Sequence, residues 1–543
     1  MKWLTLTSAA LAAAVIAPSS AAQSMAFGQN GYTVSDPLFT VGETIGSYTP
    51  PGILDGLGAI ELDASTVRVY ANHELLNFRG YPYTVNGGAL TMTGARISYF
   101  DIDKATRQVI DAGLAYDTVY DHNGNIPTDL SFLLEGFGGF SRFCSSNLVE
   151  AGTYGFEDTI YFTGEEDGGQ FNPLGGNFWA LDTANGDFWA VPALGRGAWE
   201  SLAFVDFPVD GLVAMILADD SSPRDVDGDG EAEAAPLYAY VGKKNPNGDF
   251  LDRNGLKNGN LFVLSSQTGE TSPLEFNGFG FLNFVWKFID NNPQPYNASE
   301  DGSTGFDEYG YPVQNTLWSR AEAAGAFGFS RPEDVSTNPA NGLQVVLAST
   351  GVDTYAVDPV TGNGVDTFGT QYVLNLNTDG TGQLIIQYDG DADPRRALRS
   401  PDNLVWATDG FIYSQEDEAE EDTLSGDEVL FGSGAVNPNE AGGVRTSTGG
   451  QSLRVYTIDR DVILDGSIAN PADAVDVDAG AAGEWESSGI IDVSALFGEE
   501  AGSLFLIDIQ AHGIEDQDQF NPSSRINDGD LVEGGQLLFL SKN

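Results

Sequence analysis

Residues 181–191 read LDTANGDFWAV. Two short β-forming runs meet across Asn185-Gly186, a pair that readily supplies the positive φ angles of a tight hairpin. Residues 264–271, LSSQTGET, read the same way around Thr268-Gly269. Outward from these hairpins, short β-rich runs recur at residues 67–70, 96–100, 159–162, 178–181, 212–217, 237–241, 261–264, 344–347, 372–374, 384–388, 410–413, 455–458, 504–509 and 536–540. Most are bounded by Gly, Asn or Asp, as turns require. The chain holds 67 glycines in 543 residues, above the roughly 7% of ordinary proteins. Residues 319–326 make the best helical stretch. No strict repeat and no Pro/Ser-rich linker divides the chain. The pattern predicts an all-β fold, one large propeller or sandwich with mostly antiparallel strands.

Composition narrows the function. A hydrophobic share of 41% and an aromatic share of 11% are ample for a core. Against 79 Asp and Glu stand 24 Lys and Arg, a formal net charge of −55. Such a polyanion repels nucleic acid and anionic membrane surfaces. Most of the acids read as a solvated surface; a few in clusters suit hard cations such as Ca²⁺. Residues 1–22 read as a secretory signal peptide: Lys2, an apolar run over residues 4–17, then Ser20-Ala21-Ala22 as a small-x-small cleavage site. That run is too short to span a bilayer, and no later stretch of about 20 apolar residues follows. Export to the periplasm or medium is expected.

There is one cysteine, Cys144, so no intramolecular disulfide, and only three histidines, His73, His122 and His512. Any metal chemistry must therefore rest on carboxylates and Cys144. Cys144 lies upstream of Glu165-Glu166, which end an apolar run. A thiolate beside such acids suits a site mixing soft sulfur with hard oxygen; a lone cysteine is equally at home as a small buried hydrophobe. Asn72-His73-Glu74 ends another run. Residues 225–233, DVDGDGEAE, can place Asp225, Asp227, Asp229 and Glu233 around one Ca²⁺, with Gly230 at the sharp turn. The twelfth position is Pro236, so the loop is not an EF-hand, and its role would be structural. Three blocks share a plan: an acid in a turn, a strand, then another acid or hydroxyl. They are Glu200 with Asp219-Asp220, Glu333 with Thr350, and residues 400–404 (SPDNL) with Gln415-Glu416-Asp417. The plan would recur if several blades aimed acids at one opening. Residues 416–427 form the strongest charge run.

The order of these motifs resembles the PhoX family of secreted bacterial alkaline phosphatases. They are Asn72-His73-Glu74; Arg142-Phe143-Cys144 with Gly164-Glu165-Glu166; residues 195–200 with Asp219-Asp220; residues 331–334; residues 401–403 with Glu416; and residues 510–512. The resemblance implies a single domain over residues 23–543, a six-bladed β-propeller with irregular loop insertions. It implies a mixed iron(III) and calcium centre in the propeller mouth that hydrolyses small phosphate esters. Cys144, Glu200 and Glu333 would bind iron. Glu74, Glu166, Asp219, Asp220 and Glu416 would lie on the calcium side, and Arg331 would bind phosphate. Two features depart from the family: residues 145–158 replace a longer Gly- and Trp-rich block, and the twin-Arg export signal is missing. Two other classes stay open, a catalytically silent calcium-binding surface protein and a calcium-only hydrolase of lactonase or phytase type. Both would leave Cys144 idle. A monomer is expected.

Overall fold

The computed structural model describes residues 23–169, 171–226, 228, 230, 232–393, 397–417, 440–460, 475–476, 485–515 and 532–543. The signal peptide read at residues 1–22, and residues 418–427 of the acidic run, lie outside them. The fold is mostly β. Six strands organise it: β1 (Leu54–Asp63), β2 (Phe143–Val149), β3 (Trp199–Val205), β4 (Pro332–Thr337), β5 (Pro401–Trp406) and β6 (Glu486–Asp492). Each packs against the next, and β6 packs against β1, so their contacts form a closed cycle.

From each of the six, an antiparallel sheet runs outward. β1 leads to Thr66–His73 and Arg96–Asp103. β2 leads to Ile160–Glu165 and Phe178–Asp182. β3 and β4 begin the two ends of one nine-stranded sheet, joined where Gly280–Ile289 pairs with Thr381–Asp389. β5 leads to Ile412–Glu416. β6 leads to Leu504–Ala511 and then Gly534–Lys542, which also pairs with Tyr32–Val34. The last sheet thus joins both ends of the described chain. Each inner strand is the edge strand of its sheet, and packing in a cycle covers those edges, which reduces the usual hazard of unpaired strands.

Apolar side chains fill the spaces between neighbouring sheets. One cluster joins Phe162, Trp199, Phe204 and Tyr238; another joins Val335, Leu347, Phe329 and Tyr372; a third joins Tyr70, Tyr161, Trp179 and Phe188. With the apolar layers taken up between sheets, polar groups are left to the inner strands. Every run read from the sequence overlaps a strand. The loop after residues 264–271 corrects the second hairpin: the return strand begins only at Gly280. Ser266 and Thr268 close a local turn on Glu270 instead. The main helix, α1 (Gln314–Ala323), starts five residues before the expected 319. Its polar opening carries no apolar period, because Gln314 is buried in hydrogen bonds. Among the described residues no helix is long and apolar enough to cross a membrane.

Adjacent inner strands approach so closely that glycine is required between them. A Cβ on Gly56 of β1 would lie 2.5 Å from the backbone of Ser145 and Ser146 on β2. Gly56→Ala is therefore expected to cost about 2–3 kcal/mol of stability through overpacking. Urea unfolding checks this; an unchanged midpoint would contradict the close approach.

Candidate metal centre

The six inner strands begin alike. After one pair with the neighbouring strand, or two on β6, two residues on the inner strand oppose one on its partner, and the ladder then resumes. On β1 the pairs are Leu54↔His73 and then Leu57↔Ala71; on β2, Phe143↔Glu165 and then Ser146↔Thr163. The same jump separates Trp199 from Leu202, Pro332 from Val335, Pro401 from Leu404 and Ser487 from Ile490. An extra residue of this kind is a β-bulge, which bends a strand and re-aims a side chain. The first residue in each bulge is Asp55, Cys144, Glu200, Glu333, Asp402 and Ser488. Five of the six are metal-ligating types.

A second set follows the same rule. The residue immediately after the partner of the pair just before the bulge is Glu74, Glu166, Asp220, Thr350, Asp417 and Gln510. Cys144, Glu200, Glu333, Asp402, Glu74, Glu166, Asp220 and Asp417 line one cavity of about 310 Å³, together with Arg142, Arg331, Glu486 and His512. Three groups hold ligand atoms within 4.8 Å of one another: Asp55, Glu74 and Cys144; Cys144, Glu166 and Glu200; Glu200, Glu333 and Asp402. Cys144 belongs to two of them and Glu200 to two, so the three share members and form one continuous site.

The electrostatics are severe. Burial raises the carboxyl groups of Asp55, Glu166, Glu200, Glu333 and Asp402 well above the ordinary range, and their mutual repulsion adds to it. Burial and the acids Asp55 and Glu200 push the Cys144 thiol up, and it donates to Asp55 Oδ2 at 3.0 Å. Two arginines offset some of the charge. Arg142 pairs with Glu74 at 3.0 Å and with Glu166. Arg331 grips Asp220 with two bonds of 3.0 Å and reaches Glu333 at 2.9 Å. Each precedes its inner strand directly and has positive φ, 47° and 61°, a conformation costly for a non-glycine residue.

Some oxygens remain unserved. Asp55 Oδ1, Glu200 Oε2 and Asp402 Oδ1 are buried without a hydrogen-bond partner. Such orphaned carboxylate oxygens, gathered with one thiol, fit bound cations, which would supply the missing partners. The donor set of oxygens with one sulfur suits both a hard cation and a metal that accepts thiolate.

Several expected residues do not join this group. Asp219 points away: its oxygens accept from Ala198 N, Ser221 Oγ, Gln314 Nε2 and Trp318 Nε1. Glu416 is buried against Arg454, with bonds of 2.6 and 3.0 Å, and also accepts from Arg399 N. Both pair directly with the first residue of an inner strand, and strand alternation turns them from the cavity while the next residue, Asp220 or Asp417, enters it. The acids expected in turns, Glu200, Glu333 and Asp402, stand inside strands. In the 225–233 loop, Asp225 accepts from Gly228 N and Gly230 N, and Glu233 from Val226 N; Asp227 and Asp229 lie outside the described residues. Sequence reading missed Asp402, Asp417, Glu486 and His512 as lining groups, and Asp55 as the neighbour of Glu74 and Cys144. A spacing signal existed: the two sets are 15 residues apart at Asp402 and Asp417 and 22 apart at Cys144 and Glu166.

A mostly-β chain whose inner strands converge on one buried acid-and-thiol site is the class that fold and geometry define. The same fold is found in PhoX of Pseudomonas fluorescens, solved in complex with vanadate, a transition-state analogue. The match has a TM-score of 0.60 and 13% identity and covers 97% of each chain. The resemblance drawn from the motifs is thus met by the fold. A luciferin-regenerating enzyme (TM-score 0.27, 5% identity, 86% of this chain and 92% of that one) and the NanB sialidase of Streptococcus pneumoniae (0.23, 10%, 80% and 71%) match far more weakly. No protein-family model and no curated protein matches the sequence.

Repulsion in the cavity gives a direct prediction. Glu200→Gln in metal-stripped protein at pH 8 should be more stable than wild type by about 1–3 kcal/mol, since it removes one buried charge among neighbours. The raised carboxyl keeps its proton in the folded state at low pH, so the advantage should shrink from pH 8 towards pH 5. Added Ca²⁺ should reverse the order. Urea unfolding with chelator or Ca²⁺ checks all three; a variant less stable under every condition would contradict the account.

Proposed function

We propose that this chain is an exported phosphatase that hydrolyses phosphate esters at a mixed iron and calcium centre, held by the inner strands of a six-bladed β-propeller. One observation carries the reading: five of six equivalent bulges bring an acid or thiol side chain into one connected cluster, in which oxygens of Asp55, Glu200 and Asp402 are buried without a hydrogen-bond partner. The vanadate bound to PhoX, a chain of the same fold, supports phosphoryl transfer as the chemistry. The closed cycle of inner strands supports the propeller.

In this reading Cys144, Glu200 and Glu333 hold iron, joined by Asp402. Asp55, Glu74, Glu166, Asp220 and Asp417 hold calcium. Bound cations would offset the charge of the ester and lower the pKa of an attacking water. The chain's own residues do the rest. Arg142 and Arg331 precede β2 and β4, the inner strands that flank β3, and present planar forks to phosphoryl oxygens once cations take over their carboxylate partners. The left-handed backbone at both residues fixes where those forks begin. The inner-strand walls bury Cys144, Glu200, Glu333 and Asp402 and so strengthen the charge interactions among them. Asp225, Asp227, Asp229 and Glu233 bind a separate structural Ca²⁺.

Cys144 decides between this reading and a calcium-only or silent protein. Purified wild type should carry iron and calcium and hydrolyse p-nitrophenyl phosphate. Cys144→Ala should lose iron and at least 100-fold of the turnover. Elemental analysis and turnover on the same samples check it. Calcium alone in the wild type, with the mutant unchanged, would reject the iron site.

A further inference from the structure

Next to the acid-and-thiol cavity lies a smaller cleft of about 130 Å³, which shares Arg142, Glu166, Asp220 and Arg331 with it and adds Arg224. We propose that this cleft receives a second anionic group, carboxylate or phosphate, on the alcohol portion of the substrate, with Arg224 as its receptor. The inference deepens the phosphatase reading and rests on it.

Burial disfavours the charge of Arg224, and the nearby acids Asp219 and Glu233 offset this only in part. The chain has 79 acids for 24 basic residues, and Arg142 and Arg331 are both paired with carboxylates. Arg224 makes no ion pair with any described residue. Its hydrogen bonds run from Nη2 alone, to Gln314 Oε1 at 2.8 Å and Asn315 Oδ1 at 3.1 Å. Nε and Nη1 make no hydrogen bond to another described residue. A partly buried guanidinium with open donors is an anion receptor, and its planar fork matches carboxylate and phosphate.

The receptor is also built. The guanidinium carbon sits 4.2 Å from the ring centroid of Trp318. Trp318 Nε1 and Gln314 Nε2 are both held by Asp219, at 2.9 and 2.8 Å. The backbone of Arg224 is tied to Glu233 in both directions, at 2.9 and 3.1 Å. Asp219 therefore serves the cleft as a positioning residue. It fixes the two side chains of α1 that fix Arg224, and its own oxygens are all used.

The test compares kcat/KM for esters that differ by one anionic group: glycerate 3-phosphate against glycerol 3-phosphate, and fructose 1,6-bisphosphate against fructose 6-phosphate. Wild type should favour the doubly anionic member by about tenfold or more, the worth of one charge-assisted hydrogen bond. The carboxylate pair and the bisphosphate pair show which group the cleft takes. Arg224→Gln should bring both ratios towards one, and Arg224→Lys should keep part of the preference. Metal content matching wild type shows that the variant has folded. Wild-type ratios near one would overturn the proposal without any variant, as would an equal loss on all four esters in Arg224→Gln. If no ester is turned over, the phosphatase reading fails and calorimetry decides the cleft. Tighter binding of glycerate 3-phosphate than glycerol 3-phosphate, lost in Arg224→Gln, supports it; equal binding overturns it.

Discussion

Repulsion among buried acids is the constraint on which this structure turns. Glu200, Glu333 and Asp402 bring carboxylate oxygens within 4.8 Å of one another while almost fully buried. At an effective dielectric constant of 20, two such charges repel by about 3 kcal/mol. Apolar layers between the sheets must hold the ring closed against that repulsion, and the two arginines of the cavity relieve only part of it. Bound cations are the proposed answer, since they satisfy the orphaned oxygens and convert repulsion into attraction.

The bulges explain how so many acids reach one point. A regular strand would send alternate residues to opposite faces, and neighbouring inner strands would cover both. Inserting one residue at the start of each strand breaks the alternation and turns the first bulge side chain towards the centre. Glycine at Gly56 and Gly489 then lets the next strand come close: a Cβ on Gly489 would lie 2.8 Å from Asp55 O. The six positions match in geometry though not in residue type, and Ser488 fills the one that carries no ligating acid or thiol.

Paired acids divide their labour. In Glu165-Glu166, Asp219-Asp220 and Glu416-Asp417 the second member enters the cavity, and the first turns into the surrounding structure. Glu165 accepts from the backbone of Ser141 and Asn177; Asp219 orders Gln314 and Trp318; Glu416 neutralises Arg454. The first acid builds the wall and the second faces the site. Expecting Asp219 and Glu416 to line the cavity followed from the family resemblance, whose short motifs do not show the one-residue difference in phase.

The sequence by itself determined a good deal. Alternating short runs and turn glycines made the chain all-β, the acid excess set its character, and Cys144, Glu200 and Glu333 stood out as candidate ligands. The six inner strands stayed hidden, because each opens with a bulge and polar or small residues, such as PEDV in β4 and PDNL in β5, which break the period of two. Asp55 was unreadable for the same reason: a single acid before a glycine, in no motif. Only the tertiary structure decided which acids meet, because convergence depends on register between strands far apart in sequence. It also decided that Arg224 makes no ion pair with a carboxylate among the described residues, a fact of three-dimensional neighbourhood that composition hides. Local preferences choose strands and turns; the sum of long-range packing and charge chooses what those strands bring together.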